Sequence, residues 1–417
     1  MENRLALAVK YYQSNLHEHA WVLVAELVAE PTPSMDVLRL AAILSYERRA
    51  LEETIGYCDR VLGADQQDTN AFILKGKALF DMGCHADAVR YLEHAVALDN
   101  EIAEAHYNLG RVREVCGDLS GAISSYKSAI ARQDSYPSAW NNLGLLLERA
   151  GDSMAAAQAF IMAIKQFPKF SAAYNNLGVL LAAGGQFHKA QKEYVKATEV
   201  DQDNLDALVN LGVAQLECGE HDSAIATFDD VLMRAPGHAT AVDNRLYADV
   251  YRIDDELQLR TKHSAVGDIE SANVLSVCSG LDLDPNKRLR VGFFSPDFRH
   301  HSVSFFSLPL IQTLDHRTIE IVIVADIVDE DAVTKEFRLV ADEWVSIAGV
   351  SDECASQAMQ DQKLDFIIDL AGRTTGNRSK VLANRVASIQ VMALGYPAAT
   401  GLSEMDYWLC DFITNPE

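Results

Sequence analysis

The chain is 417 residues long, 49% of its residues are hydrophobic, and its formal net charge is −24 at pH 7. This length exceeds what one hydrophobic core organises and predicts two or more domains. The apolar content excludes a disordered chain, and the acidic balance excludes a broad nucleic-acid interface, which needs clustered lysine and arginine.

Seven cysteines are scattered along the chain and form no C-x-x-C pair. Their odd number and spacing favour the reduced thiols of a cytoplasmic protein over a disulfide framework or a zinc site. The first residues, MENRLALAVKYYQ, lack the basic start, apolar core and cleavage site of a signal peptide. No apolar run reaches the ~18 residues of a transmembrane helix, so we expect no membrane partner.

Two sets of glycines recur every 34 residues, with small and aromatic residues at fixed offsets after them. This period is typical of the tetratricopeptide repeat, a stacked helix-turn-helix. We expect the first glycine of each repeat to let two helices pack closely and the second to let the chain turn. The two sets are Gly76, Gly110, Gly144, Gly178 and Gly212, and Gly83, Gly117, Gly151, Gly185 and Gly219.

The pattern divides the chain into four predicted segments. Residues 1–66 have helical apolar spacing without the glycines and are predicted to form degenerate helical hairpins that cap the solenoid. Residues 67–238 hold five regular repeats, through which oligomers could form. Residues 239–286 are a predicted helical linker, since Leu246 stands where the next repeat glycine would be. A turn-rich stretch at 279–288 precedes a Rossmann-like lobe over 287–417.

From residue 289 onward, β-branched apolar runs alternate with helical segments. This alternation predicts βαβ units and a parallel sheet that is covered on both faces. Ligands of such sheets bind at the carboxyl ends of the strands. Three polar clusters follow predicted strands: SPDFRHHS at 295–302, AGRTTGNR at 371–378 and GYPAATG at 395–401.

The segments SPDFRHHSVSFF, DLAGRTTGNR and QVMALGYPAATGLSEMDY, in this order after tetratricopeptide repeats, resemble the nucleocytoplasmic protein O-glycosyltransferases of glycosyltransferase family 41. The resemblance implies a GT-B architecture, with the nucleotide sugar between two Rossmann-like lobes. It also implies an inverting transfer to Ser or Thr without a required metal. The family includes O-GlcNAc transferases and SPINDLY-type O-fucosyltransferases, so UDP-GlcNAc is the favoured donor and GDP-fucose the alternative.

The chain stops at ITNPE, which the resemblance places near the end of the first lobe. We therefore expect a transferase that is truncated before its second lobe and inactive alone. A non-enzymatic scaffold whose repeats bind partner peptides is an alternative hypothesis, and an N-glycosyltransferase of the same family is a third.

His301 matches the histidine of the family motif D-F-x-x-H, which lies beside the transferring sugar and the acceptor hydroxyl. Imidazole suits that place because it exchanges protons near neutral pH; the alternative is a loop histidine at a helix start. Asp297 of the same motif is expected to shape the loop or cap the following helix. The resemblance implies a sugar and acceptor loop that includes Gly372, Thr374, Tyr396, Pro397, Thr400 and Gly401. For residues 395–401, a tight turn out of a buried strand is the alternative.

Five residues depart from the family pattern, two of them Val386 and Ser388, which replace prolines. Arg373 stands where relatives commonly carry His, Ala393 replaces a usual Trp, and Trp408 replaces a usual Arg. Altered specificity and lost activity both remain open as explanations.

Four asparagines recur two residues before the repeat glycines, at Asn108, Asn142, Asn176 and Asn210. Because each asparagine has the same position relative to its repeat glycine, we expect all four on one side of the first helix of each repeat, on the concave wall of a superhelix. A carboxamide both donates and accepts hydrogen bonds, so such a ladder can bind a peptide backbone whatever its side chains. The resemblance implies that protein acceptors bind here; repeat-internal capping or a solvated face is the alternative.

Overall fold

The computed structural model describes residues 2–133, 135–253, 255–271, 284, 287–374, 376–393, 395–396 and 398–409. Pro397 of the predicted acceptor loop and most of the polar stretch at 279–288 lie outside the described residues. The chain divides into two compact units, Met1–Ala207 and Leu208–Glu417.

The first unit is built from helical hairpins, each made of two consecutive helices that pack together. The helices are α1 (Glu2–Gln13), α2 (His17–Val28), α3 (Met35–Glu47), α4 (Leu51–Ala64), α5 (Thr69–Asp81), α6 (His85–Leu98), α7 (Ala103–Val115), α8 (Leu119–Arg132), α9 (Pro137–Arg149), α10 (Ser153–Gln166), α11 (Ser171–Ala183) and α12 (Phe187–Val200). The division between the units falls within α13 (Leu205–Glu217).

The two glycines of each repeat have the roles that the sequence predicts. A Cβ atom added to Gly144 in α9 would lie 2.5 Å from the buried ring of Phe160 in α10, so only glycine fits at this spacing. Gly151 follows α9 with a φ of +83°, where a side chain would be strained. The first glycine thus sets the distance between the two helices and the second sets the turn.

The N-terminal hairpins keep the same 34-residue backbone register without the glycines. Asn15 and Arg49 lie 68 and 34 residues before Gly83, and their φ values of 56° and 61° resemble its +80°. Ala8 and Ala42, both buried, occupy the positions equivalent to the first glycine. The degenerate hairpins therefore share the turn geometry of the regular repeats.

The second unit contains α14 (His221–Arg234), α15 (Ala239–Val250) and α16 (Glu256–Ser271), followed by a six-stranded parallel sheet. The strand order is β3-β2-β1-β4-β5-β6, the order of doubly wound Rossmann sheets. Its elements are β1 (Leu289–Ser295), α17 (Ser302–Gln312), β2 (Ile319–Ala325), α18 (Ala332–Val340), β3 (Glu343–Ser346), α19 (Asp352–Asp361), β4 (Leu364–Asp369), α20 (Ser379–Ala383), β5 (Ala387–Ala393) and β6 (Tyr407–Leu409).

Both faces of this sheet are buried. The neighbours Phe293 and Phe294 of β1 point to opposite faces, and each lies in a separate hydrophobic cluster. The five apolar runs of the sequence form β1 to β5, while β6, only three residues long, was not predicted. The predicted fold class, a tetratricopeptide-repeat region followed by an α/β Rossmann-like lobe, is confirmed.

Among the described residues, none of the helices combines the length and the apolar character needed to cross a bilayer.

Candidate functional site

The three predicted polar clusters leave the sheet at one edge. They follow the carboxyl ends of β1, β4 and β5, which are consecutive parallel neighbours in the sheet. The strand order reverses between β1 and β4, because β2 lies on the other side of β1. Open α/β sheets bind their ligands at this switch point.

Glycines bring the three loops into contact with one another. A Cβ atom on Gly376 would lie 3.1 Å from Cβ of Pro296, which joins the loops after β4 and β1. A Cβ atom on Gly372 would lie 2.2 Å from Cβ of Tyr396, and one on Gly395 would lie 1.8 Å from the carbonyl oxygen of Leu370. Side chains at the latter two positions would force apart the loops after β4 and β5.

His301 lies at this edge as the N-cap residue of α17. Its Nδ1 is 3.4 Å from the backbone nitrogen of Val303 and 3.5 Å from Oδ2 of Asp297. Both contacts are made by Nδ1. Nε2 has no hydrogen-bond partner among the described residues. The side chain is 41% exposed, so Nε2 is available to a ligand.

Asp297 is buried beneath this histidine. Its backbone N–H donates to Oγ of Ser295 at 3.0 Å, and its carbonyl oxygen accepts from the hydroxyl of Ser304 at 2.6 Å. Its carboxylate faces His301 and, at 3.6 Å, Arg299. The α17 cap is therefore Nδ1 of His301, which accepts from Val303. Asp297 holds the loop, and its carboxylate pairs with the same Nδ1 in the tautomer that carries a proton there.

A further buried carboxylate, Asp369, ends β4. Its oxygen atoms accept from the backbone N–H groups of Ala371 at 2.9 Å and Gly372 at 3.1 Å. Burial nevertheless raises the pKa of Asp369 to about 7. Gly372, with a φ of +58°, and Thr374, whose hydroxyl donates to the carbonyl of Ala371 at 2.8 Å, complete this turn.

The loop after β5 is turned inward against α16. Tyr396 is 3% exposed and its hydroxyl lies 2.8 Å from Nε2 of His263. Gly401 has a φ of +83°, and a Cβ atom there would lie 2.0 Å from the carbonyl oxygen of His263. A Cβ atom on Gly267 would lie 2.0 Å from the carbonyl oxygen of Gly401, so the two backbones are in direct contact. This geometry favours packing roles for Tyr396 and Gly401, whose contribution to sugar binding stays a prediction.

Arg373, one of the residues that depart from the family pattern, belongs to a buried ion-pair cluster. Its side chain is fully buried and pairs with Asp243 at 3.2 Å and Glu270 at 2.8 Å. Its Nε also donates to the carbonyl oxygen of Thr400, a buried residue, at 2.5 Å. Arg373 thus ties the loops after β4 and β5 to α15 and α16.

The predicted asparagine ladder has an internal hydrogen-bond pattern. Nδ2 of Asn142 lies 3.4 Å from the hydroxyl of Tyr107, and Nδ2 of Asn176 lies 3.0 Å from Oδ1 of Asn141. Each partner is 35 residues earlier, so the two side chains point in equivalent directions. Asn108 is buried and donates to the carbonyl of Glu104 at 2.9 Å. Asn210 belongs to the second unit, is half-buried and is engaged in its own interactions.

Three features of the site were not found from the sequence: the titratable Asp369, the ion pairs of Arg373 and the partner of Tyr396. Asp369 had a local signal, since a carboxylate directly follows the apolar run of β4 and precedes a glycine turn. No local sequence signal marked Asp243 of α15 and Glu270 of α16, because their partner, Arg373, lies more than a hundred residues away.

Models of known families match both parts of the chain. Residues 276–417 match the family described as Glycosyl transferase family 41. Tetratricopeptide repeat models match residues 180–248 and, in overlapping pieces, 73–139, 114–169 and 141–187.

Curated relatives match about a third of the chain. A protein of Petunia hybrida named probable UDP-N-acetylglucosamine–peptide N-acetylglucosaminyltransferase SPINDLY is 34% identical over 137 residues, which is 32% of this chain and 15% of that protein. The protein of the same name from Arabidopsis thaliana is 32% identical over 137 residues, with the same coverage of both chains. A UDP-N-acetylglucosamine–peptide N-acetylglucosaminyltransferase of Caenorhabditis elegans is 31% identical over 134 residues, 31% of this chain and 12% of that one. The chain thus aligns with less than a fifth of the length of these relatives.

A solved structure, a mutant of the Thermobaculum terrenum O-GlcNAc transferase, has the same fold. Its TM-score is 0.60 at 24% identity, covering 66% of this chain and 53% of the other. Repeats and α/β lobe thus occur in the same combination in both. The chain thus joins tetratricopeptide repeats to an α/β segment, residues 276–417, of glycosyltransferase family 41.

Proposed function

We propose that this chain supplies the acceptor-binding repeats and one catalytic lobe of a protein O-glycosyltransferase. The enzyme moves a sugar from a nucleotide-sugar donor to a Ser or Thr hydroxyl of a protein. The observation that carries the proposal is the exposed imidazole of His301, which is oriented by buried Asp297 at the sheet edge where the β1 and β4 loops meet.

His301 has the chemistry that this transfer requires. The acceptor oxygen forms a bond to the anomeric carbon while the bond from that carbon to the diphosphate breaks, and the acceptor hydroxyl loses its proton. In the tautomer whose Nδ1–H faces Asp297, Nε2 can accept that proton. In the tautomer whose Nδ1 accepts from Val303, the Nε2–H group can donate to the charge that develops. Asp297, 3.5 Å from Nδ1, keeps the ring in one orientation. A positioned acid–base group of this kind contributes about 10²–10⁴-fold in rate.

UDP-GlcNAc is the proposed donor. The plant and nematode relatives are named after UDP-N-acetylglucosamine as their donor. GDP-fucose is the alternative donor, and a direct comparison of the two distinguishes them. Protein acceptors are proposed to bind along the repeats, with Asn142 and Asn176 in equivalent orientations as the observation in favour.

The test uses the purified full-length polypeptide that contains these residues, with radiolabelled UDP-GlcNAc or GDP-fucose and a mixture of intracellular proteins as acceptors. His301→Ala is compared with His300→Ala. The neighbouring His300 is exposed, and its ring contacts Phe305 at 5.6 Å between centroids. It therefore serves as a matched control in the same loop.

We expect His301→Ala to reduce the transfer rate about 100-fold or more and His300→Ala to leave it within about threefold. Circular dichroism melting should show a folded chain for both variants. His301→Ala should melt at a slightly lower temperature than His300→Ala, because it removes the N-cap of α17, which contributes about 0.5–2 kcal/mol. Equal activity of the two variants would remove His301 from the mechanism. The absence of transfer from either donor would count against the proposed reaction.

A further inference from the structure

The second unit contains a cavity of about 520 Å³ between α14, α15, α16 and α20. This volume is within the range of small-molecule sites, ~300–1,000 Å³. One wall is apolar and consists of Leu232, Val242, Leu246, Val266 and Ile269. Neither His301 nor the loop after β5 lines the cavity, and of the three motif loops only the one after β4 contributes to it, through Asn377 and Arg378.

Three carboxylates line the cavity: Asp352, which pairs with Arg378, and the two acids Asp243 and Glu270. Both pair with the guanidinium of Arg373, and no other cation of the described residues is within ion-pair distance of either. Their further partners are neutral: Asn377 donates to Asp243 at 2.9 Å and Ser379 donates to Glu270 at 2.8 Å. Two negative charges therefore share one positive charge, which leaves an excess negative charge beside an apolar surface.

The cationic residues that also line the cavity do not cancel this charge. Arg245 pairs with Asp229 at 2.7 Å and with Asp249 at 2.6 Å. Arg378 pairs in the same way with two other carboxylates, at 2.8 and 2.7 Å. Lys380 is exposed to solvent, where water and salt screen its charge.

We propose that this cavity binds a small amphipathic amine, with its aliphatic body against the apolar wall and its ammonium group at Asp243 and Glu270. Burial is the main cause that raises the pKa of Asp243, and the nearby Glu270 carboxylate acts in the same direction. A positively charged ammonium group between the two acids lowers the pKa of Asp243 and so opposes both burial and the Glu270 carboxylate. The carboxylates also hold Arg373, which binds the Thr400 carbonyl, so bound amine contacts the residues that anchor the loop after β5.

Isothermal titration calorimetry of the 417-residue chain with n-hexylammonium chloride tests the proposal. Hexanol and sodium hexanoate have the same aliphatic body without the positive charge. We expect saturable binding of hexylammonium with a dissociation constant of about 1 mM, as befits a ligand of this size. Hexanol should bind at least fivefold more weakly, and hexanoate should show no saturation. Nα-acetyl-lysine amide, which carries the same ammonium on a peptide-like body, distinguishes a free amine from a lysine side chain as the natural source.

Two substitutions on α16 provide a matched pair. Ile269 and Leu257 are both 74% exposed, but only Ile269 lines the cavity. We expect Ile269→Lys to weaken hexylammonium binding about tenfold, because it places a like charge at the cavity, and Leu257→Lys to leave it unchanged. The proposal is overturned if hexylammonium does not saturate at tens of millimolar, if hexanoate binds as tightly, or if the two variants behave alike.

Discussion

The hydroxyl group of Tyr396 lies 2.8 Å from Nε2 of His263, and both side chains are buried. Nδ1 of the same imidazole lies 2.9 Å from the carbonyl oxygen of Leu259. A carbonyl oxygen can only accept, so Nδ1 carries the proton and Nε2 accepts from Tyr396. Burial lowers the pKa of His263, which agrees with a neutral ring.

Replacement of Tyr396 by phenylalanine should therefore lower stability. The variant leaves Nε2 of His263 as a buried acceptor without a donor, which costs about 1–3 kcal/mol in the free energy of unfolding. Urea denaturation followed by far-UV circular dichroism measures this loss. Tyr247→Phe is the control, because the Tyr247 hydroxyl bonds that of Tyr251 at 2.8 Å in an exposed position, where water can replace it. Equal losses in both variants would contradict the assigned hydrogen bond.

The titration of Asp369 should make stability depend on pH. Burial raises its pKa in the folded chain to about 7, whereas an unfolded Asp titrates near ~3.9. The folded state therefore keeps a proton that the unfolded state has lost, and stability falls as pH rises between these two values. The loss is on the order of 4 kcal/mol at most, since about three pKa units are involved.

Asp369→Asn isolates this contribution. The amide cannot titrate and retains one carbonyl oxygen for the Ala371 or Gly372 N–H group. We expect the unfolding free energy of the variant to rise relative to the parent as pH increases from 4 to 7. Urea unfolding of both proteins at four pH values gives the difference between their unfolding free energies. The titration of the other groups is common to both proteins and cancels in this difference. A difference that is flat across this window would show that Asp369 is ionised in the folded chain.

The close helix contact at Gly144 should make even a methyl group costly. Gly144→Ala places Cβ 2.5 Å from the Phe160 ring, and overpacking of this kind costs about 1–3 kcal/mol. Gly56 is a matched control, because it lies in the interior of α4, is exposed and has no atom within 4 Å of an added Cβ. Gly56→Ala should stabilise the chain by roughly 0.5–1 kcal/mol, from helix propensity alone. Thermal unfolding of the two variants should shift in opposite directions.

The asparagines of the repeats should affect acceptor binding more than folding. Asn142→Ala combined with Asn176→Ala removes two amides of equivalent orientation. We expect the affinity for an unstructured acceptor peptide, measured by fluorescence anisotropy, to fall about tenfold, since each hydrogen bond contributes ~0.5–1.5 kcal/mol. Met154→Ala changes a 76% exposed side chain on α10 and should leave binding unchanged. Unaltered affinity in the double variant would assign these amides to packing within the repeats.

The repeated hairpins and the first five strands were predictable because each rests on a local periodic pattern. Glycines every 34 residues mark the helix contacts and turns, and apolar runs such as that of β1 mark buried strands. The three motif loops could be assigned to one sheet edge because each follows a strand. The short β6 offered too few residues for a pattern.

The inward packing of the loop after β5 could not be predicted in the same way. The bond between His263 and Tyr396 joins residues 133 positions apart, and no local spacing encodes it. From the sequence alone, Arg373 is a substitution in a loop expected to bind ligand. In the structure its guanidinium pairs with acids of α15 and α16. Which side chains a strand-end loop offers to a ligand depends on what packs over it, and that is a tertiary property.

The shared turn geometry at Asn15, Arg49 and Gly83 makes the array modular. Excision of residues 84–117 would join Gly83 directly to Asp118 and set Gly76 opposite Tyr126, the same kind of pair that Gly110 forms with Tyr126 now. Every remaining hairpin would keep its register, and one ladder position, Asn108, would be lost. Recombination between copies can therefore lengthen or shorten such an array in steps of one hairpin without redesign of the helix contacts.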